Sequence, residues 1–154
     1  MNTANTAVPE EKMIPAYPDL FVWDEKKAEL ICGHCPTCDT TFYPSFHQQH
    51  RPGCNREGVH TVMVSDGILK SYTIQHYMPP PPFKTEKNIT PYAIGLVEFP
   101  GVIQIAGIVK GCPFDHLKIG LKMNVTTFRL YKNEKDQEVL TWAFEPTDPI
   151  EQKN

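Results

Sequence analysis

The stretch Cys32-Gly33-His34-Cys35-Pro36-Thr37-Cys38, answered by His50-Arg51-Pro52-Gly53-Cys54, decides how this chain is to be read. Between residues 32 and 58 aliphatic side chains are scarce and turn formers abound. Such a segment cannot bury enough apolar surface to offset the entropy of ordering itself, so it needs a cross-link. Cys35 and Cys38 form a knuckle in which two thiolates can hold one ion from a tight turn. A second ligand pair should follow some twelve to twenty residues on. Cys54 answers, but Arg51 stands where its partner cysteine would be. The nearest histidines are His50 and His47, and His50 is preferred because imidazole reaches across the three intervening residues. A set of Cys35, Cys38, His50 and Cys54 suits tetrahedral Zn2+, and four protein ligands leave no position for water, which marks a structural ion.

Other uses of these residues are weaker. Cys32 with Cys35 is an alternative knuckle; the preferred pairing leaves Cys32 a buried thiol, with His34 and His60 in ordinary hydrogen bonds. A thioredoxin-like Cys-x-x-Cys would need a flanking strand and helix and a reactive thiolate. The cysteine count is odd, and Met1 to Pro9, polar and without the basic-then-apolar layout of a signal peptide, is expected not to direct export, which argues for metal rather than disulfides.

Working outward, residues 1–17 are polar and read as a flexible arm, and 147–154 as a tail. Residues 18–33 read as an N-terminal helical segment, opened by Pro18-Asp19. Phe21 and Trp23 pack either on the domain itself or on a partner. Residues 34–60 make the zinc ribbon. From His60 the signal is β. Thr61 to Ser65 reads as a strand, Asp66-Gly67 as a tight turn, and Ile68 to Tyr77 as a strand with Ile68, Tyr72 and Ile74 on one face. Tyr92 to Phe99 and Val102 to Val109 flank a Pro100-Gly101 turn. Leu121, Met123 and Val125 alternate until the apolar phase slips at Thr127, the mark of a β-bulge. After a turn at Asn133 to Asp136, Leu140, Trp142 and Phe144 alternate. The fold expected is mainly β: a rubredoxin-like ribbon, then a five-stranded OB-type barrel over 61–146.

Proline, 15 of 154 residues, is about twice its usual share of roughly 5% and predicts short elements and long loops. The formal charge is −3, no footprint for an anionic membrane or nucleic acid. No apolar run is long enough to span a bilayer, and a soluble, cytoplasmic protein is expected. A nucleic-acid-binding module is the alternative reading, with Tyr72, Tyr77, Phe83 and Tyr92 as stacking platforms. Residues 61–154, however, hold ten lysines and arginines against ten acidic residues, without the cation surplus that tracking phosphates requires. Cys112, in Cys-Pro-Phe-Asp-His, invites a Cys/His catalytic reading but is better taken as a partly buried loop cysteine.

The order of features resembles a known family. A cysteine knuckle follows a short amphipathic segment; then come Phe42-Tyr43-Pro44, a second ligand pair, the strand Tyr-Ala-Ile-Gly-Leu-Val-Glu-Phe at 92–99 and Leu-Lys-Ile-Gly-Leu-Lys-Met at 117–123. This is similar to the family joining a rubredoxin-like zinc ribbon to an OB-fold, domain of unknown function thirty-five, over about Pro18 to Pro146. In this chain only Cys54 remains of the family's second Cys-x-x-Cys. The resemblance implies a non-catalytic accessory subunit of a thiolase-fold enzyme acting on acyl-CoA; symmetric pairing of two catalytic and two accessory chains into a heterotetramer is the expected assembly. Members accompany acetoacetyl-CoA thiolase, steroid side-chain aldolase, polyketide acyltransferases and the benzoylsuccinyl-CoA thiolase of anaerobic toluene breakdown; the chain looks like a small stand-alone member, as in the last. The resemblance also implies a share in holding coenzyme A. Lys84 and Lys87, in the proline-rich loop 78–91, are then either part of a stiff spacer or partners for its phosphates.

Overall fold

The computed structural model describes residues 12–47, 50–81 and 83–150. The strands are β1 (Met13–Pro15), β2 (Phe21–Trp23), β3 (Ala28–Cys35), β4 (Thr40–Phe42), β5 (His60–Val64), β6 (Asp66–Gln75), β7 (Tyr92–Phe99), β8 (Ile103–Val109), β9 (Lys122–Lys132) and β10 (Glu138–Pro146). The one helical element among the described residues is a single 3-10 turn, Phe114–His116.

The strands β6 to β10 close a five-stranded barrel in the order β6-β7-β8-β10-β9 and back to β6. Its closing contact is a parallel one between β8 and β10, where Phe144 stands opposite Val109 and Lys110 N–H donates to the Phe144 carbonyl at 2.8 Å. Closure removes every strand edge inside the barrel. β7 runs over the expected residues and is buried at alternate positions, Ala93, Gly95, Val97 and Phe99 facing in. The turn after it is held by Gly101 at φ 73°, backbone that glycine adopts without steric cost.

The expected N-terminal helical segment is instead a β-hairpin. Phe21 and Trp23 pair with Leu30 and Ala28, and the buried residues Ala28, Leu30 and Cys32 alternate with period two. The charged stretch Asp24-Glu25-Lys26-Lys27 is the hairpin turn, where the Asp24 carboxylate accepts the N–H groups of Lys26 and Lys27 at 2.8 Å each. Asp and Asn make such turns because their side chains imitate a backbone acceptor. Pro18-Asp19 does not start a helix, since Asp19 sits at φ 64°. The reading of residues 1–17 as an arm also changes for its last part: β1 pairs in parallel with β10, Met13 opposite Glu138. Residues 1–11 lie outside the described residues, as do 151–154 of the expected tail, whose first residue is pinned by Thr147 N–H to the Lys122 carbonyl at 2.9 Å.

Two other expectations shift. β5, placed by the sequence at the start of the barrel, pairs with β3 of the ribbon from Leu30↔Val64 to His34↔His60. Asp66-Gly67 is consequently no hairpin turn but the first pair of residues in β6, opposite Asn124 and Met123. Within β6 a register shift between Leu69 and Ser71 leaves Lys70 unpaired against β7. The bulge puts Ile68 on the opposite face from Tyr72 and Ile74 rather than on the same one. The slip expected at Thr127 in β9 occurs at Leu130, opposite Val139 and Leu140. There the freed Leu130 carbonyl accepts the N–H of Glu86 from the proline-rich loop, at 2.9 Å.

Ribbon and barrel share one apolar core. Phe21, Ala28, Leu30, Cys32 and Val64 from the first sheet pack with Leu69, Val97, Met123, Val125 and Phe144 from the barrel. Cys32 is fully buried, and burial pushes its thiol pKa from 9.0 up to about 11. The folded chain therefore keeps a proton that the unfolded chain releases. Cys32 contributes nothing pH-dependent below about pH 9.0 and costs stability as pH rises from there to about 11. Cys32→Ala is expected to flatten that part of the curve, read as urea-unfolding free energy at successive pH values; an unchanged slope would contradict the burial of this thiol.

Candidate metal centre

β3 and β4 form a hairpin whose turn is the first knuckle. Gly33, His34 and Cys35 pair with Phe42, Thr41 and Thr40, which places Cys35 at the end of a strand and Cys38 in the turn. Asp39 adopts φ 50°, and the Thr40 hydroxyl donates to the Cys38 carbonyl at 3.2 Å. The second ligand pair comes from the loop before β5. It is tied down by the Arg51 guanidinium on the Cys38 carbonyl at 3.2 Å and the Thr37 hydroxyl on the Glu57 carbonyl at 2.9 Å.

The result is convergence: the ligand atoms of Cys35, Cys38, His50 and Cys54 all lie within 4.8 Å of one another. Two sulfurs on one tetrahedral zinc, each about 2.3 Å away, would stand about 3.8 Å apart; Cys35 Sγ and Cys54 Sγ are 3.5 Å apart. His50 supplies the more telling fact. Both its ring nitrogens are buried, and neither has a hydrogen-bond partner. A buried polar atom left unpaired costs about 1–3 kcal/mol, and a metal ion on one nitrogen removes that cost for the atom it binds. The ring is held in place by Phe42, stacked on it with centroids 4.5 Å apart and planes 11° from parallel.

The electrostatics point the same way. Burial opposes ionisation of Cys35, but the Cys38 and Thr37 N–H groups and the thiols of Cys54 and Cys38 outweigh it and hold its pKa below the ordinary value. Cys38 is lowered too, first by its hydrogen bond with Thr40. Cys54 receives the Arg56 N–H at 3.5 Å, yet burial and the thiolates of Cys35 and Cys38 outweigh that donor and push it up. Three crowded thiolates repel one another, and a cation between them turns that repulsion into attraction.

The residues set aside by sequence fall as follows. His47 is exposed and outside the converging group, as is Cys32 in the core. His34 shares a hydrogen bond with the Thr41 hydroxyl at 2.9 Å, and His60 with the Gly58 carbonyl at 3.1 Å. Cys112 is half-buried, and burial followed by the charge of Asp115 pushes its thiol pKa up, the reverse of what a nucleophilic thiolate needs. Lys84 lies 5.0 Å from the centroid of the Tyr131 ring. Arg129, beside it on β9, binds Glu86 at 2.7 Å and Glu138 at 3.3 Å. Those contacts fasten part of the proline-rich loop to the barrel. Sequence reasoning missed Phe42 as the support of His50, since only the folded hairpin brings the two rings together.

Residues 62–128 match the family model for the C-terminal OB-fold domain of ChsH2. A solved structure of the Ltp2–ChsH2(DUF35) aldolase contains a chain of the same fold as this one, with a TM-score of 0.54 and 22% identity over 78% of this chain and 86% of that one. A search of curated protein sequences gives no match. No helix among the described residues is long and apolar enough to cross a membrane.

Proposed function

We propose that this chain is an accessory subunit of an acyl-CoA enzyme system, in which a zinc ion on Cys35, Cys38, His50 and Cys54 has a structural role. The observation that carries this is a convergent Cys3His cluster on a ribbon that shares its apolar core with a barrel matching the ChsH2 OB-fold model. A chain of the same fold occurs in an aldolase named for two components, Ltp2 and ChsH2. The catalytic partner proposed is a thiolase-fold chain, two of each forming a heterotetramer, and benzoylsuccinyl-CoA is the candidate substrate. The zinc neutralises the thiolates and fixes the ribbon; the chain's own role is to present ribbon and barrel as one rigid surface to the partner.

Co-expression with a thiolase-fold chain from the same gene cluster tests the reading. A stable complex whose acyl-CoA turnover needs both chains is expected, whereas recovery of the chain alone, or with nucleic acid, would contradict it. Within such a complex, Lys84→Ala with Lys87→Ala is expected to raise the KM for acyl-CoA in a salt-sensitive way. Unchanged kinetics would assign the loop to spacing alone.

A further inference from the structure

The metal cluster is joined to the barrel by a run of rings. His50 stacks on Phe42. Phe42 lies flat over Gly33, so close that a Cβ there would stand 2.5 Å from the ring. The next residue, Tyr43, turns the other way and meets Trp142 of β10 edge to face, centroids 5.7 Å apart and planes at 90°. The Tyr43 hydroxyl donates to the Leu20 carbonyl at 3.2 Å. Trp142 in turn occupies the space above Gly107 of β8, where a Cβ would be 2.3 Å from the indole, and packs on Phe144 at 5.4 Å. Each contact leaves its neighbour little slack, because dense packing transmits displacement.

We infer that the path His50–Phe42–Tyr43–Trp142 makes the packing of the barrel depend on whether the metal is bound, so that ribbon and barrel dock as one unit only in the metal-bound state. This rests on the proposed metal site. Without an ion, the two buried nitrogens of His50 gain by swinging out to water. Phe42 then loses the ring that presses it onto Gly33, and Tyr43, covalently next, loosens from Trp142. A partner reading the joint surface of ribbon and barrel would thereby engage the metal-loaded form in preference.

The chain has two tryptophans, so Trp23→Phe leaves Trp142 as the sole reporter. In that background, chelation is expected to red-shift the emission and increase acrylamide quenching, and added zinc to reverse both. His50→Cys replaces the imidazole by a fourth thiolate and keeps the ion while deleting the stacked ring. Phe42→Leu deletes the second ring. In either variant, with stoichiometric zinc confirmed by elemental analysis, the metal-loaded protein should already show a red-shifted Trp142 emission and increased quenching, because the rings that press Tyr43 onto Trp142 are gone. A Trp142 signal indifferent to metal in the Trp23→Phe protein overturns the inference though the metal site stands. So does a metal-loaded Trp142 emission unchanged in both variants, which would mean that the ion reaches Trp142 only through folding of the ribbon. Absence of bound metal overturns the site and the inference together.

Discussion

Stripping the metal with a chelator at neutral pH is expected to unfold the ribbon between residues 34 and 60 while the barrel stays closed. Of the two strands that frame the cluster, β4 has only three residues, and the second ligand pair sits in a loop. Little apolar burial is available there to replace ligation, and structural zinc supplies about 10–16 kcal/mol of folding free energy in zinc-finger peptides near neutral pH. Amide exchange should accelerate by orders of magnitude over 34–60 and change far less in β6, β7 and β9. Because ligation requires thiolates and a neutral imidazole, protons compete with the ion, and the same unfolding should appear as pH falls. Unaltered exchange in the ribbon after verified metal removal would contradict a structural role for the ion.

Phe144→Ala is the second large effect. Phe144 is fully buried, packs against Phe99 and Trp142, and lies at the parallel contact that closes the barrel. Truncating a buried phenylalanine costs about 3–5 kcal/mol, a large part of the roughly 5–15 kcal/mol by which domains of this kind are stable. The midpoint of urea unfolding should drop with the slope unchanged, and the barrel and ribbon signals should fall together because the core is shared. A loss below about 1 kcal/mol would mean that the core does not centre on this ring.

What the sequence made legible follows from range. β7 and the turn after it rest on local alternation and on Pro100-Gly101, and the order Cys-x-x-Cys, His, Cys carries its chemistry in its spacing. The hairpin over residues 21–35 was hidden because Pro18-Asp19 reads locally as a helix start and Phe21, Ala28 and Ile31 are also spaced to share a helical face. What favours strands there is β5, some thirty residues on, which covers one edge of β3. The bulges at Lys70 and Leu130 depend on neighbouring strands and on Glu86, whose N–H takes up a freed carbonyl; no local pattern fixes their position to the residue. The stack of Phe42 on His50 is of the same kind, a contact made by folding that no spacing in the linear chain announces.

X-ray absorption at the metal edge of protein isolated without added metal bears most directly on the cluster. The spectrum expected is that of stoichiometric zinc bound by three sulfurs and one nitrogen, with no oxygen neighbour. A folded protein without the metal, or a zinc shell containing a water oxygen in place of one of Cys35, Cys38, His50 and Cys54, would contradict it.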